Sequence, residues 1–152
     1  MTYLIISDTH GCTDDAEDII RRTPCDRIIH LGDLCRDAER LETIFPNKSI
    51  CILAGNNDYF SDKPRQVVLT DGDIRIFCTH GHLQGVKGST AGVLRAAVAN
   101  RCGAALFGHT HRACNETSNG ILLLNPGSIT FGGTYAVLNI KGSSISAEIR
   151  TL

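Results

Sequence analysis

Five short apolar runs in this chain are each followed by residues of types that can hold a metal ion, and this pattern constrains the fold more than any other feature. The runs span 3–6, 27–31, 50–53, 74–78 and 104–107. The residues after them are Asp8-Thr9-His10, Gly32-Asp33, Gly55-Asn56-Asn57-Asp58, Thr79-His80-Gly81-His82 and Gly108-His109-Thr110-His111. Runs of this length predict buried strands. Carboxylate, imidazole and amide groups suit divalent ions of hard to borderline character. Repeated at the ends of strands, they predict one shared site.

Length and composition predict a globular domain. The chain has 152 residues, which predicts a single domain over 1–152, and it is 42% hydrophobic and 20% charged. A net charge of −1 offers no basic patch for nucleic acid or an anionic membrane. The start lacks the basic residues of a signal peptide, and no segment approaches the roughly 20 apolar residues of a membrane span. The seven cysteines include no Cys-x-x-Cys pair, so we expect reduced thiols and a cytoplasmic location.

Helical signals alternate with the strand runs in the first half of the chain. Thr13 is the expected N-cap of a helix that ends before Pro24, and Asp37 is the expected cap of a second helix that runs to about residue 44. Either Ser89 or Thr90 opens a third helix, which ends at Gly103. After residue 111 the pattern predicts strands over 114–118, 121–124, 134–140 and 145–150, with tight turns at 119–120 and 142–143. This order predicts a layered α/β fold with two sheets face to face and helices outside.

The predicted metal ligands outnumber what one ion needs. In β-α units the loops at the carboxyl ends of the strands converge, and each motif lies at such an end. The donors are Asp8, His10, Asp33, Asn56, His80, His109 and His111. Seven protein ligands suit two ions that share a bridging carboxylate. Two divalent cations against two aspartates leave positive charge for a hydroxide and an anionic phosphate ester, and two ions roughly 3.5–4 Å apart clamp such an ester.

The ordered motifs resemble those of the calcineurin-like metallophosphoesterase superfamily, in particular its small single-domain bacterial and archaeal phosphodiesterases. Asn125-Pro126-Gly127-Ser128 matches a further signature of that subgroup. The resemblance implies a four-layer αββα sandwich with two mixed sheets. It also implies manganese as the metal, with nickel, zinc, iron or magnesium as alternatives, and a dimer or tetramer as a possible assembly. By the same resemblance the first metal is held by Asp8, His10 and His111, the second by Asn56, His80 and His109, and Asp33 bridges them.

The implied activity is hydrolysis of a small phosphodiester, such as a nucleotide, by in-line attack of the bridging hydroxide. The candidate catalytic residues are Asp33, Asn56, Asp58 and Arg36. Larger members carry a histidine where this chain has Asn57, and that histidine can donate a proton to the leaving group. Asparagine cannot do so, and such proton donation accelerates a reaction by roughly 10²–10⁴-fold. This departure argues against a protein Ser/Thr phosphatase and for a phosphodiesterase of modest rate. Asp58 replaces the usual glutamate and is expected to orient a metal ligand through hydrogen bonding, without binding the metal itself.

Several alternatives stay open at this level. Arg36 either contacts phosphate or pairs with Asp37 or Asp62, and His82 either touches substrate or hydrogen-bonds a loop. The glycine-rich loop around Lys87 either flanks the substrate or is a solvated connection. The chain is alternatively a phosphomonoesterase, or an interaction scaffold with residual metal binding like a eukaryotic retromer subunit that resembles this subgroup.

Overall fold

The computed structural model describes all residues, 1–152, and places ten strands in two mixed sheets of five. The first sheet has the order β10-β9-β1-β2-β3, with bounds Ser144–Thr151, Thr134–Lys141, Thr2–Ile6, Arg27–His30 and Ser49–Ile52. The second has the order β4-β5-β6-β8-β7, with bounds Gln66–Asp71, Ile74–Thr79, Ala104–Leu106, Ile121–Asn125 and Cys114–Ser118. The helices are α1 (Asp14–Arg22), α2 (Cys35–Ile44), α3 (Ala91–Ala99) and α4 (Ile129–Gly132), with a 3₁₀ turn at His82–Gln84.

Alternation along the strands explains why the sheets pack face to face. In β1, Tyr3 and Ile5 join a buried cluster that includes Cys78 and Leu106 of the second sheet, whereas Leu4 and Ile6 point to the opposite side. Because successive strand side chains face opposite ways, an apolar run such as 3–6 has to be covered on both faces. The central cluster therefore lies between the sheets and forms the main core.

Helices cover the two outer faces of the sandwich. Ile19 and Ile20 of α1 pack on the outer face of the first sheet, and Val93 and Ala97 of α3 pack on that of the second. The predicted αββα sandwich is thereby confirmed. None of the helices combines the length and apolar composition that crossing a bilayer requires.

The parallel strands bring the polar motifs to one edge. β1, β2 and β3 run parallel in the first sheet, and β5, β6 and β8 run parallel in the second. Backbone hydrogen bonds then join the loops: Asp8 N–H donates to the Gly32 carbonyl at 3.0 Å, and Gly108 N–H donates to the His80 carbonyl at 2.9 Å. Loops from both sheets therefore form one rim.

Two local expectations differ from the structure. Asp37 does not cap α2, which starts at Cys35 with Leu34 at the N-cap position. Its carboxylate instead accepts hydrogen bonds from the Thr9 hydroxyl and the Gly11 N–H, so it serves the loop after β1. Strand β4 was not predicted. It is a half-buried edge strand whose pattern of burial is too irregular to give an alternating signal.

Candidate metal centre

The rim gathers the predicted ligands around a buried acidic centre. Asp8 and His80 are fully buried, and Asp33 is almost so. Burying two carboxylates close to each other is costly unless positive charge compensates them. No lysine or arginine lies within ion-pairing distance of either carboxylate; histidines are the only basic side chains there.

Backbone conformation singles out the same residues. Seven non-glycine residues have positive φ, and five of them are predicted ligands: Asp8, His10, Asp33, His109 and His111. A non-glycine residue in this region costs of order 1–3 kcal/mol, and such residues cluster at functional sites. The chain accepts this strain at the positions where side chains must converge on the rim.

A first cluster forms from Asp8, His10 and His111. The Nε2 atoms of His10 and His111 are 3.3 Å apart, and they lie 3.6 Å and 3.1 Å from the Oδ1 atom of Asp8. Ligand bonds of about 2.0–2.2 Å put the donor atoms of one ion roughly 3–3.5 Å apart. These spacings therefore suit a single cation held by all three side chains.

A second cluster forms from Asp8, Asp33 and His80, with Asn56 beside it. His80 Nε2 lies 3.6 Å from Asp33 Oδ2, 3.9 Å from Asp8 Oδ1 and 3.1 Å from Asn56 Oδ1. His109 is in neither cluster, although its ring centroid lies 5.1 Å from that of His80. Its backbone N–H donates a hydrogen bond to the Asp8 carboxylate. The donor set, which is two carboxylates, imidazoles and an amide oxygen, fits divalent metal ions.

Hydrogen bonding and burial prepare the imidazoles as ligands. His80 Nδ1–H donates to the Leu31 carbonyl at 2.7 Å, which leaves the Nε2 lone pair facing the cluster. Burial lowers the pKa of His80 to about 4. Burial and the nearby charge of Lys87 lower the pKa of His109, and burial likewise lowers that of His111. These rings are therefore neutral at pH 7, the state that binds metal.

Asp8 needs a positive charge to stay ionised. Burial raises the pKa of its carboxyl to about 7. Hydrogen bonds from the Ser7 hydroxyl and the His109 backbone N–H lower this pKa but do not cancel the effect of burial. A cation bound in the cluster would supply the missing compensation. Neutral imidazoles, of which His80 is held by a hydrogen bond through Nδ1, and an uncompensated carboxylate together indicate a site that suits a divalent metal ion.

Two neighbouring residues hold Asp33 in place. Asn57 donates to both of its oxygens, through the backbone N–H at 3.1 Å and the side-chain Nδ2 at 2.7 Å. Asp58 accepts the Asp33 N–H at 3.1 Å, the Gly55 N–H at 2.8 Å and the Cys35 N–H at 2.8 Å. Burial opposes ionisation of Asp58, but these N–H donors outweigh it and lower its pKa. Both Asp58 oxygens are thus turned toward backbone.

Glycine is required where loops touch these carboxylates. A Cβ atom at Gly55 would collide with the carboxylate of Asp33, and one at Gly108 would collide with the Ser7 hydroxyl beside Asp8. Any larger residue at either position would push an aspartate out of its cluster.

A polar network that the sequence did not reveal supports the loop after β1. The Thr9 hydroxyl donates to Asp37 at 2.6 Å and lies 3.1 Å from Nε2 of buried His30. Gly32 N–H donates to His30 Nδ1, so this histidine is satisfied at both nitrogens, as expected of a core residue. Thr9 lies between two ligands in sequence, and the network fixes the segment that presents them.

The Asn125–Ser128 motif joins the same loops from the other side. Asn125 Nδ2 donates to the Gly108 carbonyl, and the Ser128 hydroxyl donates to the Asp8 carbonyl at 2.8 Å. Ser128 also caps α4 by accepting the Phe131 N–H. This short helix places the Phe131 ring on His111, with centroids 5.0 Å apart and planes 10° from parallel. No sequence signal indicated that contact.

The remaining candidates lie at the edge of the site. Arg36 is exposed and forms no ion pair with Asp37 or Asp62, so the two pairing alternatives are absent. It lines a cavity of about 630 Å³ together with Asn57. His82 lies beside the cluster, with its ring 5.5 Å from that of His80, and its Nε2 is 3.2 Å from Arg65.

Comparisons with known proteins agree with this geometry. A protein 34% identical over 97% of this chain and 89% of its own length is a probable metallophosphoesterase, YsnB, of Bacillus subtilis. Phosphodiesterase MJ0936 of Methanocaldococcus jannaschii is 27% identical over 81% of each chain. A predicted phosphoesterase of Streptococcus pneumoniae superposes with a TM-score of 0.83 at 29% identity, covering 99% of this chain and 88% of the other. Zinc-bound Vps29 of Entamoeba histolytica shares the fold, with a TM-score of 0.79 at 20% identity over 99% of both chains.

The family model described as the calcineurin-like phosphoesterase superfamily domain matches residues 1–143, which include every predicted ligand. The chain therefore belongs to the calcineurin-like phosphoesterase superfamily.

Proposed function

We propose that this protein is a metal-dependent phosphodiesterase that hydrolyses a small phosphodiester, with a nucleotide derivative as the preferred kind. Asp8, His10 and His111 would hold one divalent cation, Asn56, His80 and His109 would hold the second, and Asp33 would be shared by both. Manganese is the proposed metal because the resemblance to the family implies it and carboxylate and amide oxygens suit it, and nickel, zinc, iron and magnesium are the alternatives.

One observation carries the proposal, namely that the carboxylate of Asp33, a member of the second cluster, also reaches His10 of the first cluster, while Asp8 belongs to both. The Oδ2 atom of Asp33 lies 3.6 Å from His80 Nε2 and 4.0 Å from His10 Nε2. A carboxylate in this position can serve both ions, and a site with one ion would have no use for the second set of donors. The phosphodiesterase name of the Methanocaldococcus relative also supports a diester substrate.

Divalent cations, when bound, supply Lewis acidity for the phosphate oxygens and a water of near-neutral pKa. The chain's own residues supply the geometry. Asn57 donates hydrogen bonds to both oxygens of Asp33 and so keeps this carboxylate in one orientation. Asp58 acts as a positioning residue, since both its oxygens bind backbone N–H groups. Asn56 presents its amide oxygen toward His80 Nε2, at 3.1 Å.

Arg36 is the proposed contact to a substrate phosphate oxygen. Its guanidinium is exposed beside Asn57 without a carboxylate partner, and guanidinium groups bind phosphate bidentately. With Asn57 in place of a proton donor, the substrate's leaving group must depart without help from that position. We therefore expect activated diesters to be hydrolysed best.

The test compares bis(p-nitrophenyl) phosphate with p-nitrophenyl phosphate in the presence of manganese. We expect faster turnover of the diester, and loss of turnover in Asp33→Ala while the circular dichroism spectrum stays folded. Asp73→Ala, in the exposed turn between β4 and β5, is the matched control and should keep full activity. Activity that survives Asp33→Ala would refute the mechanism.

Other outcomes would point to the alternative functions. Faster turnover of the monoester would indicate a phosphomonoesterase. A protein that takes up two metal ions, is inert on both esters and copurifies with a stable partner would indicate an interaction scaffold.

We also propose a domain organisation and a cellular location for the protein. Residues 1–152 form one metallophosphoesterase domain, which the shared core between the two sheets supports. A cytoplasmic location is supported by seven cysteines that are all free thiols.

A further inference from the structure

A cavity of about 420 Å³ adjoins the loop that carries His109 and His111. Its polar lining comes from Lys87, Thr90, Thr110 and Arg112, and Phe107 and Val86 contribute apolar wall. Thr110 lies between the two ligand histidines in sequence, so the cavity begins where the proposed metal site ends.

The charge of this cavity is entirely positive. Lys87 and Arg112 are exposed, neither forms an ion pair, and no lining residue is a carboxylate. The cavity beside Arg36 differs, because Glu39, Asp58 and Asp62 line it as well. Two unpaired cations around a partly apolar pocket favour an organic anion over water or a cation.

Lys87 is held at the cavity by an anchored turn. Val86 is only 5% exposed and packs in the cluster that contains Phe107, and Gly81 leaves the space that this valine fills. Gly88 N–H donates to the Gly85 carbonyl at 3.0 Å, which closes the turn around Lys87. The loop is therefore packed against the sandwich beside the site, and of the two alternatives open from the sequence the structure favours the one that flanks the substrate.

The cavity also adjoins the metal site. Thr110, which lines the cavity, lies between His109 and His111 in the sequence. An anion held in the cavity would therefore lie close enough to belong to the same substrate as a phosphate at the clusters.

We propose that this cavity is a second phosphate subsite, in which Lys87 and Arg112 bind a further phosphate group carried by one alcohol component of the phosphodiester substrate. Val86 and Phe107 contact the carbon skeleton between the two phosphates. The inference rests on the proposed phosphodiesterase activity and narrows its substrate to diesters with a second phosphate.

Two chromogenic diesters with the same leaving group test this. The p-nitrophenyl ester of thymidine 5′-phosphate lacks a second phosphate, and the same ester bearing a 3′-phosphate has one. We expect the wild-type protein with manganese to show a KM about tenfold lower for the 3′-phosphorylated ester, the effect of one or two charge-assisted hydrogen bonds at an exposed site. In Lys87→Ala and Arg112→Ala the ratio of the two KM values should fall toward one. Arg95→Ala, which removes an exposed charge from α3 outside the cavity, should keep the wild-type ratio.

The outcomes separate the two proposals. Hydrolysis of both esters with equal KM would overturn the subsite and leave the phosphodiesterase activity standing, whereas hydrolysis of neither would remove the basis of both. Metal-free protein gives an independent reading: inorganic phosphate should shift the amide resonances of Lys87 and Arg112. Phosphate-induced shifts confined to other residues would also overturn the subsite.

Discussion

Replacing Asp58 by asparagine, which exchanges one carboxylate oxygen for an NH₂ group, should strongly destabilise the protein. The side chain is 8% exposed, and its two oxygens accept three backbone N–H groups, from Asp33, Gly55 and Cys35. An asparagine has one oxygen and one NH₂ group. If its oxygen keeps the Asp33 and Gly55 donors, the NH₂ group faces the Cys35 N–H, and two donors meet without an acceptor.

The magnitude follows from these three bonds. Two of them change from charge-assisted to neutral, which costs about 1 kcal/mol each, and the third is lost with a buried donor left unsatisfied, which costs about 2 kcal/mol. The sum of about 4 kcal/mol should lower the melting temperature of metal-free protein by about 10 °C for a chain of this size. Asp62→Asn, an exposed residue of the same loop, should change stability by less than about 0.5 kcal/mol.

Urea unfolding of the metal-free variants at pH 7 measures this difference. The lowered pKa of Asp58 sets its pH dependence: the stabilisation is complete above the unfolded value and is lost as the pH falls through the folded value. The gap between the wild-type protein and Asp58→Asn should therefore narrow under strongly acidic conditions. Equal stability of the two proteins at pH 7 would show that the carboxylate does not hold the loops together.

Phe131→Ala should weaken manganese binding about threefold to tenfold in calorimetry, because this ring, 65% exposed, stacks on His111. Phe60 is fully exposed, and Phe60→Ala should leave manganese affinity unchanged. Unchanged affinity in Phe131→Ala would mean that the stack does not orient His111. Manganese binding at pH 6 should release about one proton, since burial raises the pKa of Asp8 to about 7 and the ion must displace that proton. Affinity should accordingly rise with pH up to about 7, and equal binding heats in two buffers of different ionisation enthalpy would contradict this assignment.

The sequence was sufficient to predict the layers and the convergence of the ligands. Apolar runs such as 3–6 and 104–107 have to be buried on both faces, and residues after parallel strands meet at one edge. Asp8, Asp33 and His80 lie together for this reason. The hairpin at Asn119-Gly120 was also predictable, and both residues have positive φ as such a turn requires.

Contacts between distant loops could not be predicted, because they leave no periodic pattern in the sequence. Asp37 sits near the start of a helix, where a cap is the usual role, yet its carboxylate reaches Thr9, 28 residues away. From the sequence, Asn57 is only the absence of a proton donor, and the structure shows that its side-chain amide donates a hydrogen bond to Asp33. The cavity at Lys87 depends on the burial of Val86 against Phe107, which neither segment reveals alone.

Anomalous diffraction from crystals soaked in manganese is the most direct test of the dinuclear site. The expected map contains two peaks roughly 3.5–4 Å apart, with the Asp33 carboxylate between them. The Asp8, His10 and His111 side chains should surround one peak, and Asn56, His80 and His109 should lie beside the other. A single peak at full occupancy, or two peaks that Asp33 does not touch, would contradict it.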